Sequence, residues 1–302
     1  MQRQLLPTTT LEVAYVGNVA RHLLGEFDMN QPTVAARTAN PKADVNAIRP
    51  YLGYGYMHDR APLFTNNYNS LQVSISHRSS RGLTMGAAYT WSKDLTTNSN
   101  DRGSSATNSN NFKLDYGPAS TNTPQILEVN YIYEVPFFKA QRGFEGHVLG
   151  GWEISGVSSF VSGSSFTVTQ QVDPFASVGP NGLGMVQDGD IAMRPNQTGP
   201  IHKTKTRTQW FSTSSFTPAS GGFGNERVGS LLGPGVQKWD IATMKNVNLG
   251  EHLRFQLRGE YFNAFNHTNF ASVDSSLEDG NFGQVTTAHE PRIIQIGAKL
   301  NF

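Results

Sequence analysis

Apolar and polar residues alternate one by one in several stretches of this chain, and that alternation restricts the fold more than any other property of the sequence. In 71–78, Leu71, Val73 and Ile75 oppose Gln72, Ser74 and Ser76. In 83–92, Leu83, Met85, Ala87, Tyr89 and Trp91 oppose Thr84, Gly86, Ala88, Thr90 and Ser92. In 127–137, Leu127, Val129, Tyr131, Tyr133, Val135 and Phe137 share one parity, against Glu128, Asn130 and Glu134. In 253–261 the polar row is Arg254, Gln256, Arg258 and Glu260, set against Leu253, Phe255, Leu257 and Tyr261. Successive side chains of a strand point to opposite faces, so each segment has one greasy and one wet face; a helix would not place charges at every second position. Weaker or mixed signals at 10–17, 147–161 and 237–249, and a last one at 291–302, bring the expected strands to eight.

The spacing between these segments is one-sided. Connections at 79–81, 138–146 and 250–252 are tight, whereas those at 18–67, 94–123, 163–236 and 267–290 run from about 24 to over 70 residues, far beyond the usual hairpin loop of about 2–5 residues. Long connections at one end and tight turns at the other are the habit of outer-membrane barrels, whose short turns are periplasmic and long loops extracellular. The expected fold is therefore all-β: an antiparallel up-and-down transmembrane β-barrel, or its C-terminal portion of about eight strands. No window approaches the ~18–20 consecutive apolar residues of a membrane helix, but a spanning strand needs only ~9–11, half of which face the lumen. The 30 glycines and 11% aromatic residues suit such a chain. Tyr89, Trp91, Tyr131, Tyr133, Phe137, Phe138 and Trp152 fall near expected strand ends, where aromatic girdles sit; plain core aromatics are the other reading.

The ending sharpens the localisation. Ile294, Ile296, Ala298, Leu300 and Phe302 alternate with Gln295, Gly297, Lys299 and Asn301, and the last residue is aromatic. In bacterial outer-membrane proteins such a strand resembles the signal read by the barrel-assembly machinery, carried here by Gln295, Gly297, Leu300 and Phe302. An ordinary amphipathic strand closing a soluble domain would alternate in the same way. The row Arg254, Gln256, Arg258, Glu260 is open to two readings: a ladder along a solute pathway, or a lumen wall whose charges pair with neighbouring strands, the default for a barrel. Residues 1–7 lack the 7–15-residue apolar core of a signal peptide, so the expectation is an exported chain that is a piece of something longer.

Further runs resemble the barrel of Oar-like TonB-dependent receptors. They are Tyr68-Asn69-Ser70-Leu71-Gln72-Val73; Arg81-Gly82-Leu83-Thr84 through Ala88-Tyr89-Thr90-Trp91-Ser92-Lys93; Tyr131-Ile132-Tyr133-Glu134-Val135-Pro136-Phe137; and Gly150-Gly151-Trp152-Glu153-Ile154-Ser155-Gly156. Gly233-Pro234-Gly235 leading to Trp239-Asp240, the run from Arg258-Gly259-Glu260-Tyr261-Phe262-Asn263 to Asn269-Phe270, and Pro291-Arg292-Ile293-Ile294-Gln295 follow in the same order. The resemblance implies a plugged barrel of about 22 strands powered by the TonB complex. Residues 1–302 are then the C-terminal third or so of that barrel, without plug or N-terminal domains. The implied partners are outer-membrane lipid, the barrel-assembly machinery, a bulky solute, and the TonB complex only through the missing N-terminal parts.

Catalytic patterns are sparse. The eight histidines show no His-x-x-x-His spacing, no nucleophile elbow occurs, and there is no cysteine for thiol chemistry or disulfides. Asp188-Gly189-Asp190 reads either as a Ca²⁺ loop or as a solvated turn. The expectation is no enzyme, no cofactor and no metal, and a net charge of +1 gives no reason to invoke nucleic acid. Two alternatives stay open: a small stand-alone outer-membrane barrel acting as adhesin or anchor, and a secreted glycan-binding β-sandwich.

Overall fold

The computed structural model describes residues 1–79, 82–99, 106–171, 193–249 and 253–302. The turn residues 80–81 and 250–252, the glycine-rich stretch 174–190 and the Asp188-Gly189-Asp190 segment lie outside them. One antiparallel sheet dominates. Its strands are β1 (Gln2–Leu6), β2 (Thr9–Asp28), β3 (His58–Arg78), β4 (Leu83–Thr96), β5 (Gln125–Glu134), β6 (Trp152–Val161), β7 (Val236–Asn248), β8 (Arg254–Phe262) and β9 (Ile293–Asn301). They lie side by side in chain order, with the two residues Gly117–Pro118 added to β4. Among the described residues no strand pairs with the outer edge of β1 or of β9, so the sheet does not close on itself. Among the described residues no second large sheet packs over it, as a β-sandwich would require.

The connections sort as the spacing predicts. The β1–β2, β3–β4 and β7–β8 links are a few residues each and fall at one end, while 29–57, 97–124, 162–235 and 263–292 all emerge at the other. Two expectations need correcting. The connection expected to be tight at 138–146 spans 135–151 and holds a short helix, α2 (Gly143–Leu149), so 147–161 is strand only from Trp152 onward. The strand expected over 10–17 belongs to a ribbon of 20 residues in β2 against 21 in β3. At ~3.3 Å per residue β2 reaches roughly 65 Å, about twice the ~30 Å hydrocarbon core of a bilayer. Arg21 and His22 in its upper half are exposed, and beyond them Phe27, with Phe64 of β3, packs on Phe112 of the 97–124 connection, so neither stretch meets lipid on one face and a polar interior on the other, and nothing there forces alternation.

Apart from Phe64 at the upper end of β3, the buried hydrophobic core lies outside the large sheet. Val168, Trp210, Phe211, Phe216 and Leu231 form a buried cluster within the loop-end connection 162–235, and Phe270, Val273, Phe282 and Val285 of 263–292 pack against it. Phe211, Phe216 and Phe282 meet edge to face at 5.4–6.1 Å between centroids, an arrangement aromatic rings favour. Trp210 donates its indole N–H to the Leu232 carbonyl at 2.9 Å. The loop 29–57, which carries α1 (Val34–Ala39), folds around polar groups instead. Asp28 accepts from the backbone N–H groups of Asn30 and Met57 and pairs with buried Arg49 at 2.9 Å. The Asn30 amide donates to the carbonyls of Tyr51, Tyr54 and Gly55.

Candidate functional site

The ladder registers assign every strand residue to one of two faces. Tyr15, Leu71 and Trp91 are paired across β2, β3 and β4; Val129 pairs with Ala87 and Ser158; Leu257 pairs with Lys245 and Ala298. Carried from strand to strand, this parity gathers Val13, Val73, Leu127, Ile154, Ile241 and Ile296 on one side of the sheet. Large apolar side chains there are left uncovered: Leu71, Met85, Trp91, Ile154, Leu257 and Ile296 are all exposed. A continuous exposed apolar face of this extent is untenable in water and is what a lipid-facing sheet presents. Glycine on this face is roofed by tyrosine. Tyr131 of β5 lies over its partner Gly156, where an added Cβ would stand 2.6 Å from the phenol oxygen and 2.7 Å from the Asp240 carbonyl.

The opposite face is polar. It carries Glu12, Gln72, Glu128, Asn130, Lys238 and Asp240, with Ile132 and Val157 among them. Arg254, Gln256, Arg258 and Glu260 all fall on it, opposite Asn301, Lys299, Gly297 and Gln295 of β9. Charges there pair locally. Arg258 bonds Glu260 two residues along the strand, Lys238 meets Asp240 at 2.8 Å, and Gln256 donates to Asn246 at 2.8 Å. Glu128 accepts from the Ser159 hydroxyl at 2.6 Å. With both signs interleaved, this wall offers hydrogen bonds to hydrated groups rather than one strong field.

Three of the four residues of the expected assembly signal are on β9, and the fourth follows it directly. Gln295 and Gly297 take the polar parity, Leu300 pairs with Phe255 on the apolar side, and Phe302 projects past the strand, 99% exposed. Because β9 is an edge strand, its outer backbone groups are free to pair.

Pattern reading missed the loop-end polar network. Arg194 is buried and pairs with Asp115 at 3.0 Å while donating to the Leu114 carbonyl at 2.9 Å, tying 162–235 to 97–124. The Asn122 amide donates to Ser165 at 2.9 Å, and Gln31 exchanges hydrogen bonds with Thr107 and Ser109. Glu226 is buried near Arg194, with its carboxylate bonded to the Ser230 hydroxyl. Burial raises its pKa, and the bond from Ser230 and the charge of Arg194 only partly oppose this. These contacts join residues tens of positions apart, and no local periodicity marks them. Asparagine did leave a local signal: Asn263 and Asn266 take φ of 50° and 52°, a left-handed turn that asparagine tolerates. The Asn263 amide donates to the His267 carbonyl at 3.0 Å, and Asn269 exchanges hydrogen bonds with the backbone of Gln237. The asparagine-rich run after β8 thus closes a turn. Among the described residues no group of three or more metal-ligating side chains converges.

Comparisons with known proteins agree with this geometry. Over 99% of the chain the fold is similar to the outer-membrane transporter YddB from Escherichia coli, with a TM-score of 0.51 at 8% identity. A weaker likeness, TM-score 0.39 at 10% identity, is to FpvA of P. aeruginosa, whose structure was determined bound to heterologous pyoverdines. The chain spans about a third of the length of either, covering 31% and 32%. No curated protein matches it in sequence. Residues 1–295 match the family model described as an outer membrane beta barrel domain. The chain belongs to the outer membrane beta barrel domain family and resides in the bacterial outer membrane.

Proposed function

We propose that these 302 residues supply part of the wall of a larger, TonB-dependent transporter barrel of the Oar-like type, which takes up a bulky solute. The observation that carries this reading is the two-faced sheet with two unpaired edges: an apolar face for lipid, a polar face for a lumen, and open ladders where further strands would continue the wall. The fold likeness to about a third of an outer-membrane transporter supports it. The polar row Arg254, Gln256, Arg258 and Glu260 lines that lumen, with Arg258 and Glu260 paired to each other and Gln256 to Asn246 of β7, and the loop-end cap presents the outer surface where solute first meets the protein. TonB acts through segments outside this chain. The chemistry is capture and passage rather than bond making or breaking.

Two experiments test this. Growth media of a strain lacking the gene and of one lacking TonB are compared for solutes left behind: a shared set supports the proposal, and normal uptake by the first strain contradicts it. A heat-modifiable gel band from the 302-residue chain alone would favour the small stand-alone barrel instead. Gln295, Gly297, Leu300 and Phe302 act in assembly. Deleting Phe302, which touches nothing that holds the sheet, lowers the amount reaching the outer membrane while leaving refolding in detergent unchanged; equal amounts in the membrane would refute that role.

A further inference from the structure

The connection 135–151 is built unlike the other links at its end of the sheet. Its backbone is fixed from below. Gln141, buried at φ 46°, donates to the Asn246 carbonyl at 2.8 Å and accepts from the Asn248 N–H at 3.1 Å, joining the segment to the end of β7. The C-terminal carbonyls of α2, which have no partner within the helix, are taken by two side chains of the apolar face. Lys245 donates to the carbonyls of Val148 and Gly150, and Trp152, its register partner, donates to Val148 at 3.0 Å. A cation at a helix C-terminus is favourable, which accounts for a lysine in the row of Ile241 and Val247. Both anchors have apolar parity, so α2 is tethered from the lipid-facing side of the sheet, at its tight-turn rim.

What this scaffold holds outward is greasy. Phe144 is 84% exposed and Phe137 66%; Phe138, Val148 and Leu149 are about half exposed. Phe144 and Val148 stand four residues apart and share a helix face. Exposed Arg142 sits beside them, with Lys139, which pairs with Glu134 at 3.6 Å, and Glu145 of the first helical turn. Large apolar side chains on a tethered segment, flanked by charged groups and continuous with the lipid-facing band, suit an element lying in the membrane–water boundary.

We propose that α2 with Phe137 and Phe138 is an interfacial foot. It lies in the headgroup–acyl boundary of the phospholipid leaflet on the tight-turn side and holds β5 and β6 at a fixed depth. This rests on the lipid-facing reading of the sheet. The occupant is the lipid leaflet rather than another protein, because the patch continues a face that lipid already covers.

These 302 residues contain no cysteine; any cysteine elsewhere in the intact protein is first replaced by serine, so that single cysteines report on this segment. Phe144→Cys and, separately, Leu257→Cys are labelled with an environment-sensitive fluorophore. Each is reconstituted into phosphatidylethanolamine–phosphatidylglycerol vesicles whose acyl chains carry bromine at a shallow or a deep position. The foot predicts that the label at 144 is quenched most by shallow bromines and is shielded from aqueous iodide, with the label at 257, on the apolar face of β8, quenched by lipid bromines as well. Quenching of 144 by iodide and not by lipid, while 257 responds to lipid, overturns the foot and leaves the barrel standing. Protection of 144 from both quenchers shows a protein partner there and overturns it too. Insensitivity of both labels to lipid removes the lipid-facing reading itself.

Discussion

Gly156 sits under the phenol of Tyr131, and any side chain there meets both that ring and the Asp240 backbone. Gly156→Val forces the tyrosine off the strand or the strands apart, and overpacking of this kind costs about 1–3 kcal/mol; denaturant unfolding of the protein in lipid bilayers measures it. Glu226 makes a prediction of opposite character. Burial raises its folded pKa above the ordinary carboxylate value, so folding favours the protonated form. That contribution is fully present below the ordinary value and is lost as pH rises through the raised one. The unfolding midpoint of the loop-end cap, followed through Trp210, therefore falls over this window in the wild type. Glu226→Gln flattens the dependence and stabilises the cap at neutral pH; an unchanged slope would mean that Glu226 is not the group responsible.

Among the elements, β8 shows most directly what legibility depends on. Lipid on one side and a polar interior on the other dictate each residue of Arg254–Phe262, so its faces are readable from the sequence alone. The same holds for β4, β5 and β9. The upper reaches of β2 and β3 carry no such imprint, which is why their length was invisible; Asn66, Asn67 and Arg21 read as loop yet hydrogen-bond across the ribbon. The cap was illegible for another reason: Phe211 meets Phe282 across about seventy residues of chain, and neither lies in a periodic segment. Arg258 and Glu260 were legible by parity, but the bond between them is a matter of rotamers. The two faces of β8 respond oppositely to substitution. Leu257→Arg puts a charge toward lipid and destabilises by up to about 2–4 kcal/mol, the cost depending on its depth in the bilayer. Arg258→Leu breaks a half-exposed ion pair and costs at most about 1 kcal/mol. Urea titration in vesicles compares them, and equal costs would mean the faces are misassigned.

At the scale of the whole molecule the protein inverts the usual plan: below the upper ends of β2 and β3 its sheet leaves large apolar side chains uncovered, and most of its buried core lies in the connections at one end. All four long connections are joined there, 29–57 to 97–124 through Gln31, 97–124 to 162–235 through Asp115 and Arg194, and 162–235 to 263–292 through the phenylalanine cluster. Such a cap, anchored by Glu26 and Asp28 at the end of β2, keeps large polar loops ordered, while lipid supplies the apolar environment the rest of the sheet lacks. The central claim is that one face meets lipid and the other a watery interior. It is tested most directly by spin labels at single cysteines replacing each residue from 254 to 262 in the reconstituted protein, read for collision with oxygen and with a water-soluble nickel complex. The account predicts a period of two, with oxygen favoured at 255, 257, 259 and 261 and nickel at 254, 256, 258 and 260. Uniform accessibility along the strand, or the opposite phase, would contradict it.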